Sequence, residues 1–353
     1  MRRDYYSPLK VFHHRNRVDA LARGERPKLV HVQIMPTNRC NQNCSFCAYR
    51  SHGYSSSEDF RAVDEIPLDK LTEIVSDCKR LGVRAIEITG GGEPTVHKDF
   101  PTLCRHIDGE GLDYAVVTNG AALSPETVDA LTGARWVRFS LDAGRAETYA
   151  AIRRSKPETF DRVRGTIYQL ASRTKNKDPV IGVGFVVTRD NWTEVLQAAE
   201  NAREDGVDNF RISAVFQNEG VAYFEPFYNR ARELCAEAKK LQNGSFTVFN
   251  LFGDRVDDLA QRSPDQSFCG IQHLATLVCA DQNVYRCCVL AYNQRGFLGS
   301  LKGQTFYDLW LSQNIGDLLR DFDARRCPRC MFNNKNRTIA YAINPNPPHA
   351  NFL

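Results

Sequence analysis

Three thiols fall within one short stretch of chain, Cys40-Asn-Gln-Asn-Cys44-Ser-Phe-Cys47. Iron–sulfur clusters are held by cysteine thiolates, so this stretch is suited to grip one iron–sulfur cube through three of its irons. Three ligands leave a fourth iron open to an outside ligand. A structural zinc wants four protein ligands, and no fourth cysteine follows nearby; His52 is the conceivable completing group for that alternative. Six more cysteines crowd the C-terminal part: Cys269, Cys279, Cys287, Cys288, Cys327 and Cys330. Cys327-Pro-Arg-Cys330 has a knuckle spacing usable by zinc or an iron–sulfur cluster. With Cys269 and one of Cys287 and Cys288 it makes a set of four. Cys78, Cys104 and Cys235 stand singly in helical sequence and are expected to pack as small apolar residues, as is Cys279 in mid-strand.

Other polar groups recur at the ends of β-rich runs. Gly90-Gly91-Gly92-Glu93-Pro94 lets the backbone approach a ligand closely. Thr118-Asn119-Gly120 and Ser140-Leu141-Asp142 end two further runs, and Arg153 and Arg154 follow the second of them. Such side chains at successive strand ends converge on one mouth.

The elements that must position them alternate regularly. Strands are predicted at Val32–Pro36, Ala85–Thr89, Asp113–Thr118, Trp136–Leu141, Ile181–Thr188 and Asn209–Ala214. Helices are predicted at Leu68–Leu81, Asp99–Glu110, Ser124–Thr132, Pro157–Ser172 and Trp192–Asp205, several ending in a glycine stop such as Gly82 or Gly206. Six strand–helix units argue for parallel strands with right-handed crossovers, too few to close an eight-unit barrel. The expected fold is therefore α/β: a partial (β/α)6 TIM-like barrel over 28–222, after an extension at 1–27. A helix at Phe224–Leu241 and a strand at Phe246–Phe252 begin a connection spanning 223–268, whose stretch Gly253–Ser267 reads as a polar linker. A small α+β cluster-binding domain is expected at 269–332, with a helix at Phe306–Asp321, and then an extended tail within 333–353.

Composition bounds the class. Lys and Arg number 46 against 42 Asp and Glu, a net of +4 that is too mild to argue for a nucleic-acid partner. No apolar run is long enough for a membrane helix, and the basic N-terminus lacks the apolar core of a secretory signal. A cytoplasmic, reducing home is expected, where clustered cysteines mean metal or catalysis rather than disulfides.

Taken with its companions, the cysteine triad resembles the signature of the radical SAM superfamily. The resemblance covers roughly residues 28–220 and implies a [4Fe-4S] cluster on Cys40, Cys44 and Cys47 that chelates S-adenosylmethionine through the open iron. It further implies that Gly90, Gly91, Gly92 and Glu93 receive the methionine ammonium, that Asn119, Ser140 and Asp142 bond ribose and carboxylate, that Arg153 pairs with that carboxylate, and that Phe46 lies beside the adenine. Tyr49 is a weaker aromatic candidate. The C-terminal cysteines resemble the Twitch/SPASM extension; no cysteine follows Cys330, so the shorter Twitch form fits, with one auxiliary [4Fe-4S] cluster on Cys269, Cys287, Cys327 and Cys330. Cys287 is preferred to Cys288 because the shorter interval from Cys269 matches Twitch spacing. A zinc on four of these cysteines is the alternative.

The resemblance implies reductive cleavage of S-adenosylmethionine to a 5′-deoxyadenosyl radical, fed by an external donor of flavodoxin or ferredoxin type. A small polar substrate, sugar- or aminocyclitol-like, is preferred for oxidation, epimerisation or rearrangement. About 30 residues precede the first strand, too few for a leader-peptide-binding domain, which sets peptide maturation second; nucleotide or nucleic-acid base modification and a non-enzymatic electron carrier follow. Substrate contacts are expected from Phe216–Tyr228, from the hairpin of the auxiliary region and from the tail Asn344–Phe352.

Overall fold

The structure of the protein, a computed structural model, describes residues 5–54, 57–174, 178–349 and 351. Helix α1 (Arg15–Ala22) is followed by β1 (His31–Ile34), α2 (Leu68–Arg80), β2 (Ala85–Ile88), α3 (Phe100–Gly109), β3 (Asp113–Thr118) and α4 (Pro125–Thr132). Next come β4 (Trp136–Ser140), α5 (Ala146–Arg153), α6 (Glu158–Arg173), β5 (Val180–Val187), α7 (Val195–Glu204), β6 (Asn209–Ala214), α8 (Tyr228–Lys240) and β7 (Thr247–Leu251). The chain closes with α9 (Phe252–Gln261), β8 (Ala275–Val278), β9 (Asn283–Tyr285), β10 (Phe297–Ser300), α10 (Phe306–Leu311), α11 (Gln313–Arg320) and α12 (Asn333–Ile343).

One residue of every two on the strands is committed to packing against the helices. Val32 and Ile34, Ile86 and Ile88, Val137 and Phe139, Phe210 and Ile212 are all buried. They meet helix faces such as Leu71, Ile74, Val75 and Cys78 of α2, spaced at the 3.6-residue period. The alternate strand residues line the other side of the sheet, which is where the polar side chains lie.

All ten strands form one sheet in the order β10-β9-β8-β1-β2-β3-β4-β5-β6-β7. The pairs from β1 to β7 are parallel. The α/β partial barrel therefore stands, lengthened by β7, which joins β6 in register Asn209↔Thr247. The C-terminal cysteine region is part of the same sheet: β8 lies parallel to β1, His31 opposite Ala275, and carries the antiparallel β9 and β10. The edge strands β7 and β10 do not pair with one another among the described residues, so the sheet is open between them. Helix α12 reaches towards both β8 and β7: Asn336 Oδ1 accepts from Ile271 N just before β8, while α12 packs on the N-terminal segment whose Tyr6 sits edge-on to Phe249 of β7.

Several local expectations are corrected. The linker expected at Gly253–Ser267 begins as helix α9, because Phe252, Val256 and Leu259 give it a buried stripe. The helix expected at Phe306–Asp321 is two, broken at Ser312, which is extended (ψ 152) and caps α11 by accepting from Ile315 N. An unforeseen helix, α5, carries Arg153 ahead of α6. Cys279 lies just past β8 rather than within a strand, yet it is fully buried, as are Cys78 and Cys235, with Cys104 nearly so. In the expected tail, Asn344 leaves α12 in extended conformation; Ala350 and Phe352 lie outside the described residues.

Candidate active site

The cysteine loop follows β1 and is fixed from two sides. On one side the glycine run packs against it: Gly92 N donates to the Thr37 carbonyl at 3.2 Å and Glu93 N to the Arg39 carbonyl at 2.9 Å. A Cβ on Gly91 would overlap Asn38 Oδ1, and one on Gly92 would overlap the Arg39 carbonyl, so only glycine permits this approach. On the other side α5 supplies the Ile152 carbonyl, which accepts from Ser45 N at 2.8 Å. The loop also braces itself, with Cys47 N donating to Ser51 Oγ and Ser51 Oγ to the Cys44 carbonyl.

Donors face the sulfurs. Arg153 Nη1 is 3.3 Å from Cys44 Sγ, Gln42 N is 3.4 Å from Cys40 Sγ, and Asn119 Nδ2 is 3.9 Å from the same sulfur. Burial nevertheless pushes the Cys40 thiol up to about 11, so a metal must displace its proton on binding. Arg153 is nearly buried. It forms an ion pair with Asp142, donates to the Ser140 carbonyl at 2.6 Å and lies 5.6 Å from the Phe46 ring centre. Arg154 is instead exposed, in the left-handed conformation that ends α5.

Two of the expected ligand-binding carboxylates are already engaged. Glu93 Oε1 accepts from Thr95 N, Thr95 Oγ1 and Thr118 Oγ1, and Oε2 from Asn119 N at 2.6 Å. It thus clamps the glycine loop to the end of β3, and burial raises its pKa despite those donors. Asp142, at φ 59, accepts from Val186 N at 2.6 Å and ties β4 to β5. Tyr49 stacks on Phe60 at 6.0 Å and meets Tyr292 edge-on, turned towards the auxiliary region.

The residues fit a bound cluster with a polar ligand beside it. Gln42 Oε1, Arg50 Nε and Arg153 Nε are buried polar atoms without partners, lying on or against this loop. Among the described residues, no three or more His, Cys, Asp or Glu side chains stand close enough to hold a single metal ion. A cube, whose irons each take one thiolate, needs its sulfurs further apart than one zinc does.

The second group of cysteines is more enclosed. Cys269, Cys287, Cys327 and Cys330 line one small cavity with Ile271, Arg286 and Phe332. Cys288, next in sequence, is not on its wall; it turns away to within 3.6 Å of Met331 Sδ. Backbone N–H groups of Leu290 and Val289 point at the Cys287 sulfur, opposing the upward push of burial. Phe332 N is 3.3 Å and Asn336 Nδ2 3.9 Å from Cys330 Sγ, a thiol that burial holds at about 11. Arg286 is buried with Nε unpartnered; burial lowers its pKa, opposed by the facing Cys269, Cys287 and Cys327. The two cysteine regions touch through Tyr292, whose hydroxyl donates to Asn38 Oδ1.

The sequence matches the model of the Radical SAM superfamily over residues 34–231. Among curated relatives, an AdoMet-dependent heme synthase of Methanosarcina barkeri is 27% identical over 54% of this chain and 52% of its own length. A GTP 3′,8-cyclase of Clostridium perfringens is 25% identical over 62% of this chain and 65% of its own. The chain thus spans between half and two thirds of the length of these two relatives. The fold resembles Streptococcus suis SuiB bound to S-adenosylmethionine, with a TM-score of 0.64, 16% identity and coverage of 90% of this chain and 75% of that one. It also resembles anSMEcpe with bound AdoMet, with a TM-score of 0.60, 15% identity and coverage of 89% and 96%. At that coverage the likeness of fold runs past residue 231 into the C-terminal cysteine region.

Proposed function

This chain belongs to the radical SAM superfamily of enzymes, and we propose that it binds a [4Fe-4S] cluster through Cys40, Cys44 and Cys47 and acts on a small polar substrate in the barrel lumen. When bound, the cluster and S-adenosylmethionine supply a 5′-deoxyadenosyl radical able to take a hydrogen from an unactivated carbon. The chain's own residues hold, orient and shield.

The observation that carries the reading is the convergence on one loop of three thiols, the glycine run, Asn119 and Arg153, with three buried polar atoms there lacking partners. The carbonyls of Gly90–Gly92 are the acceptors for the methionine ammonium, with Glu93 acting mainly as the clamp that sets them. Arg153 takes the carboxylate end, Phe46 the adenine, and Asn119 and Ser140 the ribose. Asp142 serves through Arg153. In the second cavity Cys269, Cys287, Cys327 and Cys330 hold an auxiliary [4Fe-4S] cluster, with Arg286 offsetting its negative charge. The lumen supports a small polar substrate because its lining carries Gln33, Glu87, Arg138 and Arg211. A flavodoxin- or ferredoxin-type donor supplies the electron. No helix among the described residues is long and apolar enough to cross a membrane.

The test is anaerobic incubation of the cluster-loaded protein with dithionite and S-adenosylmethionine. Formation of 5′-deoxyadenosine is expected. Its absence even alongside cell extract would refute the reading, and turnover of a peptide but of no small polar compound would replace the substrate assignment.

A further inference from the structure

The lumen carries positive charge that the radical-forming residues do not use. Side chains alternate along a strand, so with Val137, Phe139, Phe210 and Ile212 packed in the core, Arg138 and Arg211 face the other side, the barrel interior. They flank β5, where Gly182 stands in register with Arg138 and Gly184 with Arg211. A Cβ on Gly184 would meet Arg138 Cδ at 3.5 Å, so the arginine stem lies over a floor of glycine. Over Gly182 the neighbouring space is taken by the side chain of Asn209, whose Oδ1 a Cβ there would overlap.

Neither arginine is neutralised. Arg138 lies 5.4 Å from the Trp136 ring centre and Arg211 5.2 Å from that of Tyr6. Among the described residues neither has a carboxylate within ion-pair distance, and Arg211 Nε is buried without a hydrogen-bond partner. Burial, and then the like charges of Arg138 and Arg255, pull the Arg211 guanidinium down to about 10. Lys335 of α12 is exposed and lies over the Phe332 ring. Arg255 of α9 is spoken for by Asp258 at 2.8 Å. Glu87 of β2 is the carboxylate that answers them, and it stands 3.7 Å from His31.

An unpaired cation in a low-dielectric interior destabilises the fold that holds it, and such violations belong at functional sites. A guanidinium presents a planar fork of donors matched to carboxylate and phosphate oxygens, and a cleft of one sign concentrates ligands of the other. We propose that the lumen is an oxyanion receptor and that the substrate is a small molecule bearing a phosphate ester, gripped between Arg138 and Arg211. Two unpaired guanidinium forks match the several oxygens of a dianionic phosphate better than the two of a single carboxylate. The proposal deepens, and rests on, the assignment of the barrel mouth as the radical site.

The experiment is calorimetric and thermal-shift titration of the cluster-loaded protein with inorganic phosphate, and separately with succinate as the carboxylate arm. Saturable phosphate binding is expected, with a rising Tm, weakened at least 10-fold in Arg138→Gln and Arg211→Gln and unchanged in the exposed-residue control Arg154→Gln. Arg211→Lys, which keeps the charge but not the fork, is expected to fall between. Circular dichroism melts identify any variant that has lost its fold, and comparison then rests on the other. Equal binding in wild type and in both glutamine variants, or no saturable binding of either anion, overturns the proposal. Stronger binding of succinate than of phosphate overturns the phosphate assignment. Neither readout needs radical chemistry: anion binding without 5′-deoxyadenosine formation would count against the radical assignment alone, and the converse against the receptor alone.

Discussion

The guanidinium of Arg153 stands 3.3 Å from the sulfur of Cys44 while its other nitrogen is paired with the buried carboxylate of Asp142. Asp142 in turn accepts from Val186 N. One cation thereby links the cysteine loop, the end of β4 and the end of β5, and it does so where a cluster and an anionic carboxylate must both be received.

Replacing Arg153 by Ala leaves Asp142 as a buried charge without its partner, a change that typically costs about 3–5 kcal/mol. The variant is expected to unfold at lower urea concentration and to bind less iron at the first site. Arg153→Lys keeps the charge but loses the fork, so it is expected to fold and to bind S-adenosylmethionine more weakly. Unchanged urea midpoints in Arg153→Ala would show that this pair does not fix the loop.

The four-cysteine cavity makes a sharp distinction between neighbours in sequence. Cys287 is on its wall and Cys288 is not. Fully reconstituted protein is expected to hold about eight irons, four per [4Fe-4S] cluster. Cys287→Ala is expected to lose about four of them and Cys288→Ala none, by iron and sulfide assay with electron paramagnetic resonance of the reduced sample. The reverse result would move the ligand to Cys288.

Why the sequence alone left that choice open is physical. Strands β2 to β6 are legible because β-rich runs alternate with amphipathic helices ending at glycines such as Gly82 and Gly206. The position of the cysteine triad after β1 is legible for the same reason. The pairing of His31 with Ala275 is not, since nothing near either residue encodes contact with a strand so far along the chain. Nor is the direction of the Cys288 side chain, which is set by a short helical turn after Cys287 and by contact with Met331. Glu93 was recognisable as a motif residue, but its saturation by Thr95, Thr118 and Asn119 depends on where β3 ends. The lumenal arginines had a faint signal: charged residues at alternate positions inside otherwise apolar strands, as in Trp136-Val-Arg138-Phe and Phe210-Arg211-Ile212.

A histidine gives the stability of the auxiliary region a pH dependence. Burial, and then the nearby Arg286, pull His273 from 6.5 down to about 4, and its ring stacks on Phe268 at 5.5 Å. A histidine held neutral when folded binds fewer protons than when unfolded. Stability is therefore lost as pH falls from about 6.5 to about 4 and is unaffected by this group above that window. Urea melts of the protein at pH 7.5, 6 and 5 are expected to show a steeper loss than those of His273→Phe. Parallel losses in the two proteins would assign the acid sensitivity elsewhere.

Gly92 offers a test of how the first site is built that leaves every cysteine in place. Its backbone N–H bonds the Thr37 carbonyl, and a Cβ there would run into the Arg39 carbonyl, an atom that cannot yield without moving the cysteine loop itself. Overlap with backbone is relieved only by displacement, at a typical cost of about 1–3 kcal/mol for an overpacked site. Gly92→Ala is therefore expected to shift the loop away from Asn119 and Arg153 while the enclosed C-terminal cavity, on the other side of β8, keeps its geometry. Iron content should fall from about eight towards about four per chain, with the loss confined to the open cluster. Addition of S-adenosylmethionine should then no longer perturb the electron paramagnetic resonance spectrum. If Gly92→Ala retains both clusters and that perturbation, the close approach of the glycine run is not what positions the cysteine loop.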